Sequence, residues 1–358
     1  MAAWLENLIS CPVAFRQGGA AEFALDRTDH HIHSYLTARK NHFRILMRQI
    51  IFALALQAVA STVLLGLGGW LVMSGQLTLG QLVAAELIVT VIVGSFAKLG
   101  KHVESYYDLL ASVDKLGALF DLPIEPQDGL MAFSTGKPAQ VRIHGLNYSG
   151  VKSQQSIKGL DYTIASGDRV IIDSHYDSAA PLLLDMLFGT RTPDSGFLSI
   201  NEVGPRDLRP DALRRYVSLV RDVEVFEGTI AENIHLERPN VSTSDIRHVL
   251  SKIGMLEEIL DLPQGLDTPL VETGFPLSSS QIKKMIIARA IVNRPTLLLV
   301  DGLLDGLPDD DIAKVASVLL AEDETWTLVL VTGRKNLIQS QKKILNLSSR
   351  QPSNLIEG

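Results

Sequence analysis

The chain has 358 residues, a formal net charge of −7 and one cysteine. This length predicts two domains or one large one, the lone cysteine excludes a disulfide framework and a cysteine-rich metal site, and the acidic balance argues against bulk binding of nucleic acid. Apolar residues make up 46% of the chain and charged residues 20%, which excludes a disordered chain and predicts a protein facing the cytosol with part of its mass in a membrane.

Residues 2–49 precede the first long apolar stretch. Their mixture of apolar and polar side chains predicts a largely helical, amphipathic extension in the cytoplasm, and they show no secretory signal pattern. The extension contains four histidines, His30, His31, His33 and His42. Their spacing matches no metal-ligand template, so we expect a solvated helical face and no metal site.

A long stretch without charge follows. No charged residue lies between Arg48 and Glu86, and residues 50–73 are almost all apolar. As a helix they would extend about 36 Å, enough to cross a bilayer. After a short polar link, Thr78 is expected to cap a second membrane helix over residues 79–97, which leaves the membrane and continues over residues 98–120. We therefore predict an antiparallel membrane hairpin.

Basic residues flank the hairpin on both sides and fix its orientation. The positive-inside rule places both flanks in the cytoplasm and the link between the helices outside, so we expect a multi-pass protein of the cell (inner) membrane. The flanking residues are Arg39, Lys40, Arg44, Arg48, Lys98 and Lys101. Glu86 in the second helix either lines a transport path or reaches the headgroups near the outer surface.

Proline and glycine residues over 123–139 predict a linker. A second domain is expected over residues 140–350, with a tail over 351–358. Short apolar strands alternate with helices in this domain, which predicts an α/β fold with a largely parallel sheet. The expected strands cover residues 141–148, 160–164, 169–172, 296–300 and 327–331. The expected helices cover residues 181–188, 244–259, 281–292 and 308–321.

A series of short segments in this domain occurs in a characteristic order and spacing. The segments are Leu187–Gly189, Thr192–Gly196, Phe226–Ile234, Leu277–Gln281, Ala288–Ala290 with Pro295, and Leu297–Asp301. Together they resemble the nucleotide-binding domain of exporter-type ATP-binding cassette (ABC) transporters. The resemblance implies a P-loop NTPase-like fold for residues 140–350. It also implies that residues 1–122 are part of a transmembrane domain that contains the last two of the family's six membrane helices.

The resemblance places the family's phosphate loop, G-x-x-G-x-G-K-[ST], at residues 174–181. Its glycines let backbone N–H groups close around phosphates, its lysine supplies charge, and its hydroxyl binds Mg²⁺. Here Ser174, Asp177 and Ala179 stand at the glycine positions, Ala180 at the lysine and Pro181 at the hydroxyl. Asp177 would face a polyanion, and two like charges about 4 Å apart repel by about 1 kcal/mol in water.

Other positions of the family's ATP site also differ. Arg221 stands where a glutamine senses the metal, Gly302 where a glutamate polarises water, and Gly333 where the switch histidine belongs. Asp301 keeps the Walker B aspartate, either as a metal ligand or, as we expect, as a structural acid. Arg221 either contacts an anion or, as we expect, forms a surface salt bridge. Tyr148 lies near the place of the family's adenine-stacking aromatic residue.

The signature segment is only partly retained. It reads Leu277, Ser278, Ser279, Ser280, Gln281, with two serines in place of the glycines of LSGGQ. Phosphoryl transfer depends on positioning and electrostatic stabilisation, so the lost groups at Ala180, Pro181, Gly302 and Gly333 predict a degenerate ATP-binding domain without a hydrolytic site of its own.

These observations predict a membrane subunit or remnant of an ABC exporter that acts as a structural or regulatory partner in transport. One alternative is half of an ATP-driven exporter whose working ATP site is supplied by a partner chain. Another is a two-helix membrane scaffold with no transport role. We expect other ABC transporter subunits, as homo- or heterodimer, and the bilayer as partners. No resident cofactor is expected, with ATP and Mg²⁺ bound only if a partner supplies the site.

Overall fold

The chain divides into two compact units, Met1–Pro123 and Ile124–Gly358. The computed structural model describes residues 2–131, 137–149, 156–175, 179–340, 343–345 and 347. Asp177 and the expected tail over 351–358 lie outside the described residues.

The first unit consists of helices. Helix α1 (Ala2–Ser10) is followed by a short 3₁₀ turn, α2 (Ala20–Met73) and α3 (Leu79–Phe120). The extension is therefore helical as predicted, with an interruption before α2, where Gly19 has a φ of 81°. Thr78 caps α3 as predicted, because its hydroxyl accepts from the Gln81 backbone N–H while the Gln81 side chain accepts from the Thr78 N–H.

Helices α2 and α3 are antiparallel, and small and polar residues line their contact. The Ser61 hydroxyl donates to Glu86 Oε1 at 2.8 Å. Gly68 is buried, and a Cβ added there would lie 2.3 Å from Leu82 Cδ1. The absence of a side chain at Gly68 therefore lets α3 approach α2 closely.

Helix α2 is the one helix among the described residues that is long and apolar enough to cross a membrane. The apolar part of α3, Leu79–Ser95, is shorter.

The second unit is an α/β domain. Its strands are β1 (Val141–Ser149), β2 (Ser156–Ile164), β3 (Arg169–Asp173), β4 (Ser195–Ile200), β5 (Val217–Val220), β6 (Gly228–Thr229), β7 (Pro269–Leu270), β8 (Leu297–Asp301) and β9 (Thr327–Thr332). Its helices are α4 (Ala180–Leu187), α5 (Pro210–Tyr216), α6 (Ile230–His235), α7 (Thr243–Lys252), α8 (Leu256–Leu260), α9 (Ser279–Ile291), α10 (Asp309–Leu319) and α11 (Lys335–Ser340).

A parallel sheet in the order β3-β9-β8-β5 forms the centre of the domain. Side chains of its strands alternate between two hydrophobic cores, as the pleat of a sheet requires. One core lies against α6–α10 and the other against α4 and the antiparallel sheet β2-β1-β4. The predicted parallel α/β fold is confirmed.

One predicted helix is wrong in its extent. Residues 244–259 form two helices, α7 and α8, and not one. Gly254 between them has a φ of 70°, a left-handed conformation that ends α7. Met255, the residue before α8, is fully buried. The apolar periodicity therefore continues across the break, and the sequence pattern does not reveal that the helix ends there.

Candidate functional site

The carboxyl ends of β3, β8 and β9 meet at one edge of the parallel sheet. In register, Asp173 lies beside Thr332, and Asp301 lies beside Val331. Helix α4 begins beyond β3 at the same edge. We call this region the phosphate-loop cleft, and crevices of this kind are where open α/β sheets bind ligands.

The turn before α4 offers few polar side chains among its described residues. Ala179 and Ala180 are buried, and Ala180 at the lysine position has no exposed surface. No side chain caps the helix, and Pro181 occupies its first turn, where the missing N–H of proline is tolerated. Pro181 therefore contributes a carbonyl oxygen to the cleft in place of a hydroxyl.

The start of the turn is held by the sheet. Ser174 N donates to the Thr332 carbonyl at 3.1 Å. The backbone N–H of His175 donates to Asp173 Oδ1 at 2.9 Å, and His175 Nδ1 lies 3.2 Å from the same oxygen. Asp173 thus fixes the imidazole beside the cleft.

The guanidinium of Arg221 links the end of β8 to the first turns of α4. It donates through Nε to Asp301 Oδ2 at 2.6 Å, through Nη1 to Asp185 Oδ1 at 2.7 Å and through Nη2 to the Pro181 carbonyl at 3.0 Å. The Arg221 side chain is 30% exposed and that of Asp301 11%. The ion pair is therefore partly buried, in contrast to the surface salt bridge expected from the sequence.

The charge of Arg221 is maintained in this setting. Burial acts to lower the pKa of Arg221, but hydrogen bonds to Asp185 and Asp301 outweigh it and the pKa lies above its ordinary value. The three nitrogen atoms of the guanidinium are all engaged, which gives a directional contact that a lysine would not reproduce.

Asp185 extends this network, and sequence reasoning missed it. Its second oxygen, Oδ2, accepts from Arg191 Nε at 2.6 Å, and Arg191 Nη1 donates to the Tyr148 hydroxyl at 3.0 Å. A chain of hydrogen bonds therefore runs from Tyr148 to Asp301. The available signal was the spacing of Asp185 from Pro181, because residues four apart share one face of a helix.

Gly302 and Gly333 directly follow β8 and β9 at the same edge of the sheet. Gly302 has a φ of 66°, which disfavours any side chain there. Gly333 N donates to Asp305 Oδ2 at 2.9 Å, and the Thr332 hydroxyl donates to Asp305 Oδ1. A Cβ at position 333 would lie 2.6 Å from His175 Cε1. His175 and Asp305 are therefore neighbours of this position that sequence reasoning did not identify.

The signature residues bond one another and the neighbouring helices α8 and α10. Ser278 is the N-cap of α9 and accepts from Gln281 N at 3.3 Å, while Gln281 Oε1 accepts from Ser278 N at 2.8 Å. The Ser280 hydroxyl donates to Asp311, and Gln281 Nε2 donates to Glu258 Oε2 at 2.9 Å. Leu277 is buried and Ser279 is exposed.

In sequence the chain is similar to ABC transporters and to ATP-dependent transport proteins. The ABC transporter family model matches residues 180–303, so the match begins at Ala180. A mycobactin import ATP-binding/permease protein of Mycolicibacterium thermoresistibile is 26% identical over 83% of this chain and 51% of its own length. An ATP-dependent lipid A-core flippase of Chromobacterium violaceum is 27% identical over 95% of this chain and 59% of its own.

The fold also matches a solved structure, that of a bacterial Atm1-family ABC exporter with ATP bound. The TM-score is 0.80 at 22% sequence identity, over 97% of this chain and 60% of the other. The similarity extends over both the helical unit and the α/β domain. The chain spans about half the length of the curated relatives it matches.

Proposed function

Because the chain belongs to the ABC exporter family and carries its nucleotide-binding domain, we propose that it is a membrane subunit whose own ATP site is catalytically silent. The domain would act as a structural or regulatory partner of other ABC subunits. The observation that carries this proposal is the position of Arg221, whose guanidinium is bonded to the Walker B aspartate Asp301.

The internal cation competes with a metal ion. A Walker B aspartate binds Mg²⁺ that bridges the phosphates of ATP. In this chain the carboxylate of Asp301 is neutralised by Arg221, and the other carboxylate that Arg221 binds, Asp185, lies on α4. A divalent cation would have to displace a guanidinium that makes three hydrogen bonds. The residues present therefore do not fit a magnesium ion.

The residues present do not fit the phosphates either. A buried alanine at position 180 provides no charge, and Pro181 provides neither a hydroxyl nor a backbone N–H. Each removed group of this kind costs orders of magnitude in the rate of the chemical step. We therefore assign no step of phosphoryl transfer to this chain.

The helical unit would place the protein in the membrane. Its relatives are membrane proteins, and α2 is long and apolar enough to span a bilayer. We propose that α3 crosses as well, in a multi-pass inner-membrane protein, because α2 and α3 are antiparallel and Ser61 satisfies one oxygen of Glu86 between them.

Cargo and direction are not shared among the relatives. One is named for import of mycobactin and another for flipping of lipid A-core. The family resemblance therefore supports transport as the process without identifying what is carried.

A second candidate function has one supporting observation. The backbone of the signature turn is intact, because Ser278 and Gln281 form a reciprocal capping box at the start of α9. This chain could thus complete an ATP site whose phosphate loop belongs to a partner.

The test is purification of the tagged full chain from its native membranes with whatever subunits accompany it. We expect an ABC subunit with intact ATP-binding motifs in the complex. The ATPase rate of the complex should be unchanged by D301N in this chain, because a silent site holds no metal ion at Asp301. A rate that falls to background with D301N, in a complex that still assembles, would contradict the silent site.

A second variant separates the two candidates. S278D keeps an N-cap acceptor on α9 but places a negative charge where a partner's phosphates would lie. The proposed function predicts an unchanged ATPase rate for the complex with S278D. A loss of more than about tenfold would favour the alternative in which this chain completes the partner's site.

A further inference from the structure

A lysine is buried in the helical part of the α/β domain. The side chain of Lys284 on α9 is 2% exposed. Its Nζ donates to Glu258 Oε1 on α8 at 2.7 Å and to Asp311 Oδ1 on α10 at 3.1 Å. A lysine is almost never this buried unless it is paired, so these two carboxylates are the reason that the charge is tolerated here.

Two residues of the signature complete the cluster. The Ser280 hydroxyl donates to Asp311, and Gln281 Nε2 donates to Glu258 Oε2 at 2.9 Å. We call these five residues the Lys284 cluster. Hydrogen bonding by Ser280, helped by Lys284, outweighs burial and lowers the pKa of Asp311, so the folded cluster favours the charged carboxylate.

The cluster joins helices that precede β8 in the sequence to a helix that follows it. Helices α8 and α9 belong to the segment between β5 and β8, which we call the helical segment (residues 221–296). Helix α10 follows β8. Two ion pairs therefore hold the helical segment. Arg221, its first residue, bonds Asp301 at the end of β8, and Lys284, nearer its last residue, bonds Asp311 on α10.

Breaking the cluster would leave a charge without a partner. Removing one member of a buried ion pair is far more costly than the net contribution of the pair, because the remaining charge stays in a medium of low polarity. The three helices are thus held together by an interaction that resists partial opening and that needs no ligand.

We propose that the Lys284 cluster is an internal latch that holds the helical segment against α10 in one arrangement whether or not nucleotide is present. The latch goes beyond the silent ATP site, because it concerns a different group of residues and would stand even if the cleft bound ATP. In this proposal Lys284 positions the signature turn, although Lys284 lies outside the signature segment Leu277–Gln281.

Hydrogen–deuterium exchange of the full chain in lipid nanodiscs tests the latch. In the unaltered protein, amides of α8 and the first turns of α10 should exchange slowly, at rates that Mg-ATP does not change. K284M, which removes the charge and keeps most of the volume, should raise exchange in both helices by more than about tenfold.

The neighbouring lysine provides a matched control. Lys283 Nζ donates to a backbone carbonyl, that of Gly306, at 2.7 Å, and forms no ion pair with a carboxylate of the described residues. K283M makes the same chemical change one residue away and should leave exchange in α8 and α10 unchanged. Slow exchange in β8 and β9 of K284M serves as the check that the domain remains folded.

Partial variants guard against the case in which K284M does not fold. D311N should loosen α10 and leave α8 protected, and E258Q should do the reverse. Equal exchange in K284M and K283M, or fast exchange of α8 and α10 in the unaltered protein, would overturn the latch. Protection by Mg-ATP that is confined to α4 would instead overturn the silent site and leave the latch intact.

Discussion

Helix α6 and the turn before α4 belong to the same domain, but the sequence at α6 is close to the ABC family's motif and the sequence at the turn is not. Around α6 the family-like stretch Phe226–Ile234 is retained, and its polar groups are satisfied internally. Asn233 is fully buried and donates to the carbonyls of Phe226 and Thr229. At the turn before α4, in contrast, Ala180 and Pro181 stand where the family's motif has a lysine and a hydroxyl residue, and Arg221 bonds both Asp185 and Asp301.

The difference separates two kinds of requirement. A buried amide such as that of Asn233 must be hydrogen-bonded for the domain to fold at all. A phosphate loop is needed only where a phosphate is bound. Under the proposed function, residues that stabilise the fold are kept, whereas most residues that would act on phosphate, Asp301 excepted, are replaced.

The largest effect is expected on the retained side of this comparison. N233A should lower the free energy of unfolding by about 3 kcal/mol, because it removes the side-chain amide that bonds the Phe226 and Thr229 carbonyls, the Phe226 N–H and Nη2 of Arg289. Urea titration of the full chain in detergent measures the change. N240A removes an amide whose bond to Asn293 is exposed, and should cost much less. Similar losses for the two variants would break the comparison.

An intermediate effect is expected on the altered side. R221M leaves Asp185 and Asp301 facing one another with side chains 14% and 11% exposed, which should cost about 2 kcal/mol of stability. The same urea titration applies, with R215M as the exposed control. If R221M were as stable as R215M, the guanidinium would not be the group that holds this cleft.

A smaller effect sharpens the comparison at one helix end. T229A removes the N-cap of α6, whose hydroxyl accepts from Glu232 N at 3.1 Å, and should cost about 1 kcal/mol. The exposed T243A on α7, which is not a cap, should cost only a few tenths of that. Thermal unfolding of both variants in one detergent gives the ranking, and the reverse order would contradict the structure.

The smallest effect is a dependence on pH at the Lys284 cluster. The pKa of Asp311 is lowered in the folded state, so its contribution to stability is present above its unfolded pKa of about 3.9 and is lost as pH falls through the folded value. The stability difference between the unaltered chain and D311N should shrink by less than about 1 kcal/mol between pH 6 and pH 3. A difference that grows as pH falls would contradict the pairing.

Much of the fold could be predicted from the sequence because its signals are local. The apolar strands β8 and β9 and the Thr78 cap each depend on a few neighbouring residues. The break between α7 and α8 was missed because the apolar pattern continues through Gly254 and Met255. Apolar periodicity reports which face of a segment is buried and does not reveal a left-handed residue within it.

The sequence predicts which positions form the site but not how their side chains bond. Comparison with the family's motifs identifies Arg221 as an altered position and Asp301 as a retained one. It does not show that the two side chains bind each other. That contact joins residues 80 apart in the chain and depends on how β5 and β8 pair. Asp185, Asp305 and Lys284 lie outside the quoted motifs and His175 is at an unspecified position of the phosphate loop, so three-dimensional packing alone reveals their partners.

The most direct test of the silent site is calorimetric titration of the purified full chain with Mg-ATP. The account predicts no saturable heat up to millimolar nucleotide, with the same result for Mg-ADP. Saturable binding in the micromolar range that requires Mg²⁺ and is abolished by D301N would contradict it, because Asp301 would then be free to hold a metal ion.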